Sequence, residues 1–308
     1  MKYCHGLRIL DSKPLPRTGP VHPAAANPSA NNPSQPHQNP PPRLPLLLHT
    51  RPIRRWAALR DVHRIVFPGD SITQAGIYVT DFDCWLVSQG LDIEVLRLGL
   101  ASETGSDLTP EENAGHLKAH GFGRPFISER LERLLAATKP DLIIACYGMN
   151  DSFSLPPDES GTKRYADAIT HLRETALKAG ANRVVLCSPP VKDSMQINRG
   201  VEDENISRYT AWLMAREILT QYVGADLAGT ASPEELFPAG GGELVKLVDA
   251  RRSILFSVWM FKIGHGRPGS PGGPNTKATE TFEQSIAKAD EITKQITEIF
   301  AKAVEKKK

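Results

Sequence analysis

Three short apolar runs divide the middle of the chain, and each stops on glycine or on a small polar residue. Residues 64–69 read Arg-Ile-Val-Phe-Pro-Gly and deliver Asp70 and Ser71; residues 92–98 lead to Gly99; residues 140–147 lead through Gly148 to Asn150 and Asp151. The stretch 142–147 is apolar without alternation, as a strand covered on both faces should be. A fourth run, 183–187, reads Arg-Val-Val-Leu-Cys. Helical spacing falls between these runs, near 81–89, 126–137 and 164–178. Strand and helix thus alternate, which predicts an α/β fold: a doubly wound parallel sheet with right-handed crossovers and helices on both faces.

The ends of the chain differ from this middle. Residues 1–60 read as a disordered arm, densest in Pro, Asn and Ser over 11–45. The run from Leu44 to Leu48 is too short to cross a membrane and stands behind the Pro-rich stretch, unlike a signal sequence. Residues 61–228 carry the strand–helix alternation. Residues 229–308 form an extension with a Gly/Pro-rich linker over 264–275, which lacks the ending of a phosphate loop. Its tail places Phe282, Ile286, Ile292, Ile296, Phe300 and Val304 near helical spacing. An amphipathic helix docked on the domain is the simpler expectation, and coiled-coil pairing is the alternative.

The chemistry sits at the strand ends. Ser71 follows a strand and opens a helix-forming segment, where backbone N–H groups converge on an anion, so it is a candidate nucleophile. A turn with an N-cap is the plainer reading of Asp70 and Ser71. Gly99 and Asn150 end the two other runs. Together these residues resemble the SGNH, or GDSL-type, hydrolase family over about residues 64–220. The resemblance implies a flavodoxin-like sheet and a small-molecule ester as substrate, without cofactor or metal. It further implies Ser71 as nucleophile, with an oxyanion held by the Ser71 and Gly99 amides and the Asn150 carboxamide. One such donor is typically worth about a hundred- to a thousand-fold in rate.

The general base of that family lies in a late Asp-x-x-His block, and none of the nine histidines here has Asp three places before it. Residues 205–222 form one helical run with no strand after it. A segment missing between Leu213 and Met214 would account for both, leaving the sheet one strand short and an apolar strand on an open edge. His265, in the Gly/Pro-rich loop, is the surrogate base to be weighed, although it has no carboxylate nearby in sequence. His116 and His120 have i, i+4 metal-ligand spacing but no third ligand, so they read as an ordinary surface pair.

Composition narrows the classes. Lys and Arg number 37 against 35 Asp and Glu, and this near-balance argues against a nucleic-acid partner. Cys4, Cys84, Cys146 and Cys187 have no paired spacing, so no disulfide framework is implied. Three readings remain: a serine ester hydrolase, a pseudoenzyme or binding module using the same crevice, and a plain nucleotide or phosphate binder in which Ser71 only caps a helix. Coincidence of all three strand-end residues disfavours the last.

Overall fold

The computed structural model describes residues 9–11, 56–189 and 204–305. Four parallel strands, β2 (Arg64–Gly69), β3 (Glu94–Gly99), β4 (Leu142–Cys146) and β5 (Arg183–Cys187), lie in the order β5-β4-β2-β3. Taken in chain order these are fourth, third, first and second. That is the flavodoxin-like winding with a short sheet.

The expected open edge is not observed. β1 (Ile9–Asp11) pairs antiparallel with β5, Ile9 opposite Cys187 and Asp11 opposite Val185. Backbone groups that a shortened sheet would expose on β5 are thereby paired. These three residues belong to the stretch read as a disordered arm. The remainder of the arm up to residue 55, including Cys4, lies outside the described residues.

Pleating sorts the strand side chains into two cores. Ile65, Phe67, Val95, Leu142, Ile144, Cys146, Val185 and Cys187 face one layer, built by α2 (Ile77–Ser88) and α7 (Glu204–Ile218). Val66, Leu96, Leu98, Ile143, Ala145 and Val184 face the other, built by α4 (Leu131–Thr138), α6 (Glu159–Lys178) and α8 (Gly241–Ile263). Short helices α1 (Ser71–Ala75) and α5 (Asp151–Ser154) follow β2 and β4, and α3 (Pro110–His120) follows β3. No helix among the described residues is long and apolar enough to cross a membrane.

α7 runs unbroken through Leu213 and Met214, where the sequence places the missing segment, and closes with a π-helical turn over Leu219–Val223. The tail helix α9 (Phe282–Glu305) docks on the domain. Phe282 meets Trp259 edge-on at 5.1 Å and Phe300 meets Phe237 at 6.0 Å. α8 is in turn tied to the first half of the chain by an ion pair from Arg251 to Asp83, 2.6 Å, and by Arg252 donating to the Val95 carbonyl. The loop between α8 and α9 is packed rather than a free linker, with His265 and Ser270 buried.

One core carboxylate lacks compensation. Asp81 on α2 is buried, and neither of its oxygens has a hydrogen-bond partner among the described residues. Arg208 of α7 stands 4.0 Å away, too far for a hydrogen bond, while Glu234 and Asp249 add like charge. Burial, opposed by the Arg208 charge and helped slightly by Glu234 and Asp249, pushes the Asp81 pKa up to about 7. The folded chain therefore holds this proton more tightly than the unfolded chain. Its contribution to stability is full below the ordinary carboxylate pKa and is lost as pH rises towards 7. Asp81→Asn is expected to flatten that dependence and to raise stability at pH 8 on the order of a few kcal/mol. Urea denaturation of both proteins at pH 5 and pH 8 checks this, and equal gains at the two pH values would contradict it.

Candidate functional site at the strand ends

The middle strand of the site is β2. Gly69, its last residue, is opposite Gly99 of β3 on one side and Cys146 of β4 on the other. Neighbouring strands lie about 4.8 Å apart, so the segment bearing Ser71 rises between those bearing Gly99 and Asn150. The switch point of a doubly wound sheet, where crevices form, falls here.

Glycine at both strand ends has a steric cause. A Cβ on Gly69 would stand 2.1 Å from Thr73 Oγ1, and one on Gly99 only 2.3 Å from the Gln74 amide nitrogen. With no side chain at either place, α1 lies directly on the sheet. Asp70 caps α1 by accepting from the Ile72 N–H at 2.9 Å, and Ser71 is the exposed first residue of the helix. The capping role considered for Asp70 is therefore observed, and it leaves the Ser71 hydroxyl outside. Past Gly99 the Leu100 N–H donates to the Gly69 carbonyl at 2.8 Å and the Ala101 N–H to Gln74 Oε1 at 2.6 Å. Ser102 then turns the chain at φ 69°, a left-handed conformation that favours glycine.

Asn150 is buried and fixed at both ends of its carboxamide. Its Oδ1 accepts from Arg124 at 2.8 Å, and its Nδ2 donates to the Glu103 carbonyl at 2.9 Å. Asp151 accepts the Gly105 and Ser106 N–H groups at 3.0 and 2.9 Å. The segment 103–106 is thus clamped to the end of β4. Glu103 forms a two-pronged pair with Arg130, both contacts 2.6 Å, and accepts from the Tyr147 hydroxyl at 2.7 Å. Arg124, Glu103 and Arg130 fall outside the strand-end pattern, whereas Tyr147 and Asp151 stand within the run that ends at Asn150.

The acids crowd one another. Burial, followed by the charges of Glu103 and Asp151 and opposed by the Ile72 N–H, moves the Asp70 pKa up to about 6. Tyr165, whose hydroxyl donates to the Tyr147 carbonyl at 2.8 Å, is raised by burial and by Asp151.

No histidine among the described residues completes the site. His265 Nε2 donates to the Pro271 carbonyl at 2.9 Å while Nδ1 accepts the Arg267 N–H at 3.1 Å. Both ring nitrogens serve its own loop, leaving no lone pair to take a proton from serine. His116 and His120 lie on α3 with ring centroids 4.4 Å apart and planes tilted by 36°, and His116 is buried, so they are not the surface pair the spacing suggests. His63 precedes β2, at the strand end away from Ser71, and His171 is exposed on α6. The chain finds no match among known protein families, characterised proteins or solved structures.

The steric account of Gly99 yields a paired expectation. Gly99→Ala should destabilise by about 1–3 kcal/mol or more, because backbone of α1 must move. Gly242→Ala, where an added Cβ meets nothing within 4 Å, should be neutral or stabilising by up to about 1 kcal/mol in α8. Urea midpoints of the two variants test this, and equal midpoints would remove the argument.

Proposed function

We propose that this chain is an ester hydrolase of the SGNH type, acting on a small-molecule ester through Ser71. The Ser71 oxygen attacks the acyl carbonyl, the bond to the alcohol breaks, the alcohol leaves with a proton, and water releases the acyl group. The amides of Ser71 and Gly99 and the Asn150 carboxamide stabilise the oxyanion. The observation that carries this reading is the register Gly99–Gly69–Cys146, which sets the serine-bearing turn between the two strand ends that supply the other members.

Turnover is slow, because no imidazole among the described residues activates Ser71: no hydrogen bond there joins its hydroxyl to a histidine, and His265 is consumed by its loop. A serine hydroxyl without a base stays protonated at neutral pH. An oxyanion hole with substrate binding then retains only about a thousand- to ten-thousand-fold over water. The same observation favours a second reading, a pseudoenzyme whose crevice binds the ligand without turnover.

A serine-directed phosphonate separates the two. Slow, stoichiometric labelling of Ser71 is expected, absent in Ser71→Ala and reduced by about a hundred-fold in Asn150→Ala. Labelling that is unchanged in Ser71→Ala would remove the nucleophile, and a chain that binds esters but is never labelled would be the binding module. Fast labelling that disappears in His265→Ala would restore His265 as the base.

A further inference from the structure

Beside Asn150 lie two guanidinium groups and an imidazole that the ester chemistry does not use. Phe122 is its floor: His116 meets the ring edge-on at 5.0 Å, and the Arg267 guanidinium lies 5.2 Å from the ring centroid. Arg124, two residues on, reaches Asn150 Oδ1 with one terminal nitrogen. The Nε groups of Arg124 and Arg267 are both buried without a hydrogen-bond partner among the described residues. His116 Nδ1 donates to the Phe122 carbonyl at 2.9 Å, which leaves its Nε2 lone pair, or a second proton there, for a ligand. Burial and then the charges of Arg124, His120 and Arg267 lower the His116 pKa, so these groups share one field. The carboxylate facing Arg124 is Asp151, whose oxygens are already taken by the Gly105 and Ser106 amides. Arg267 otherwise donates to Ser270 Oγ at 2.6 Å and to the Pro268 carbonyl at 3.1 Å.

We propose that Arg124, Arg267 and His116 form an anion subsite on the wall of the crevice, which takes a carboxylate, sulfate or phosphate group. The Nε groups are enclosed, so the donors open to a planar or tetrahedral oxyanion are the second terminal nitrogens of the two guanidiniums, which carry no hydrogen bond among the described residues. Part of the site comes from the loop between α8 and α9, so the C-terminal extension helps select the ligand. The subsite stands without any chemistry at Ser71, and its failure is separable from failure of the hydrolase reading.

Inorganic phosphate is the first probe, titrated into the full chain against chloride at equal ionic strength, with the His116 ring resonances as reporter. Saturable shifts are expected in the wild type, with affinity weakened about tenfold in Arg267→Gln, as loss of one charge-assisted hydrogen bond predicts. A wild type indistinguishable from the chloride control, or an Arg267→Gln chain that binds as well, would overturn the subsite. Should that variant not fold, phenylglyoxal modification of the wild type decides: phosphate should protect Arg124 and Arg267, and unprotected modification counts against the site. Monomethyl succinate binding more tightly than dimethyl succinate would put the anion on the ester. Equal binding of the two, with phosphate retained, would make a free anion the occupant.

Discussion

The buried pair between Glu103 and Arg130 is the interaction on which the rest of the site depends. Both side chains are wholly enclosed, and the pair is completed by the Tyr147 hydroxyl and by the Leu98 carbonyl, which Arg130 reaches at 2.8 Å. Burial pushes the Glu103 pKa up, and Arg130 with Tyr147 draws it back. Such a pair is weak evidence of net stability, yet removing one partner leaves a buried charge and costs about 3–5 kcal/mol. Its positional effect matters more. It joins the end of β3, the start of α4 and the end of β4, and so sets the place of the segment 103–106. Asn150 and Asp151 attach to that segment, and α1 rests on the adjoining strand ends.

Much of this order is legible in the sequence, for definite reasons. The parallel strands show as apolar runs because both faces are covered, and two of them end on Gly69 and Gly99 because α1 packs there, while Asn150 marks the third end by its bonds to Arg124 and the Glu103 carbonyl. The tail helix is visible in its spacing, and the rings of Trp259 and Phe237 explain why it docks on the chain. α8 escapes the pattern because Leu244, Val245, Val248, Leu255, Phe256, Val258 and Met260 are buried around most of its circumference, which erases the amphipathic period. β1 escapes because three residues beside a Pro-rich stretch carry no strand period of their own. Glu103 and Arg130 stand 27 positions apart with no motif between them, and only the folded chain brings them together. His265 reads in sequence as a loop imidazole free to act; in the fold it is a strut.

The electrostatics of the strand ends follow from the same packing. Three acids, Asp70, Glu103 and Asp151, gather at the strand ends, and each is answered locally: by the start of α1, by Arg130, and by the amides of 105 and 106. Arg124 and Arg267 then leave the adjoining wall positively biased. A reacting oxyanion at Ser71 would meet neutral donors, the backbone amides and a carboxamide, rather than a bare cation. On the hydrolase reading proposed for Ser71, that difference separates acyl transfer from simple anion binding.

On the reading proposed for Ser71, Asn150 shares one crevice with it and faces the oxygen that develops charge there. A crystal structure of the chain after exhaustive reaction with a serine-directed phosphonate tests it most directly. An adduct on Ser71 is expected whose phosphoryl oxygen lies about 2.7–3.1 Å from Asn150 Nδ2. An adduct on Ser71 with that oxygen turned to solvent, and Asn150 bonded only to the Glu103 carbonyl and Arg124, would contradict it.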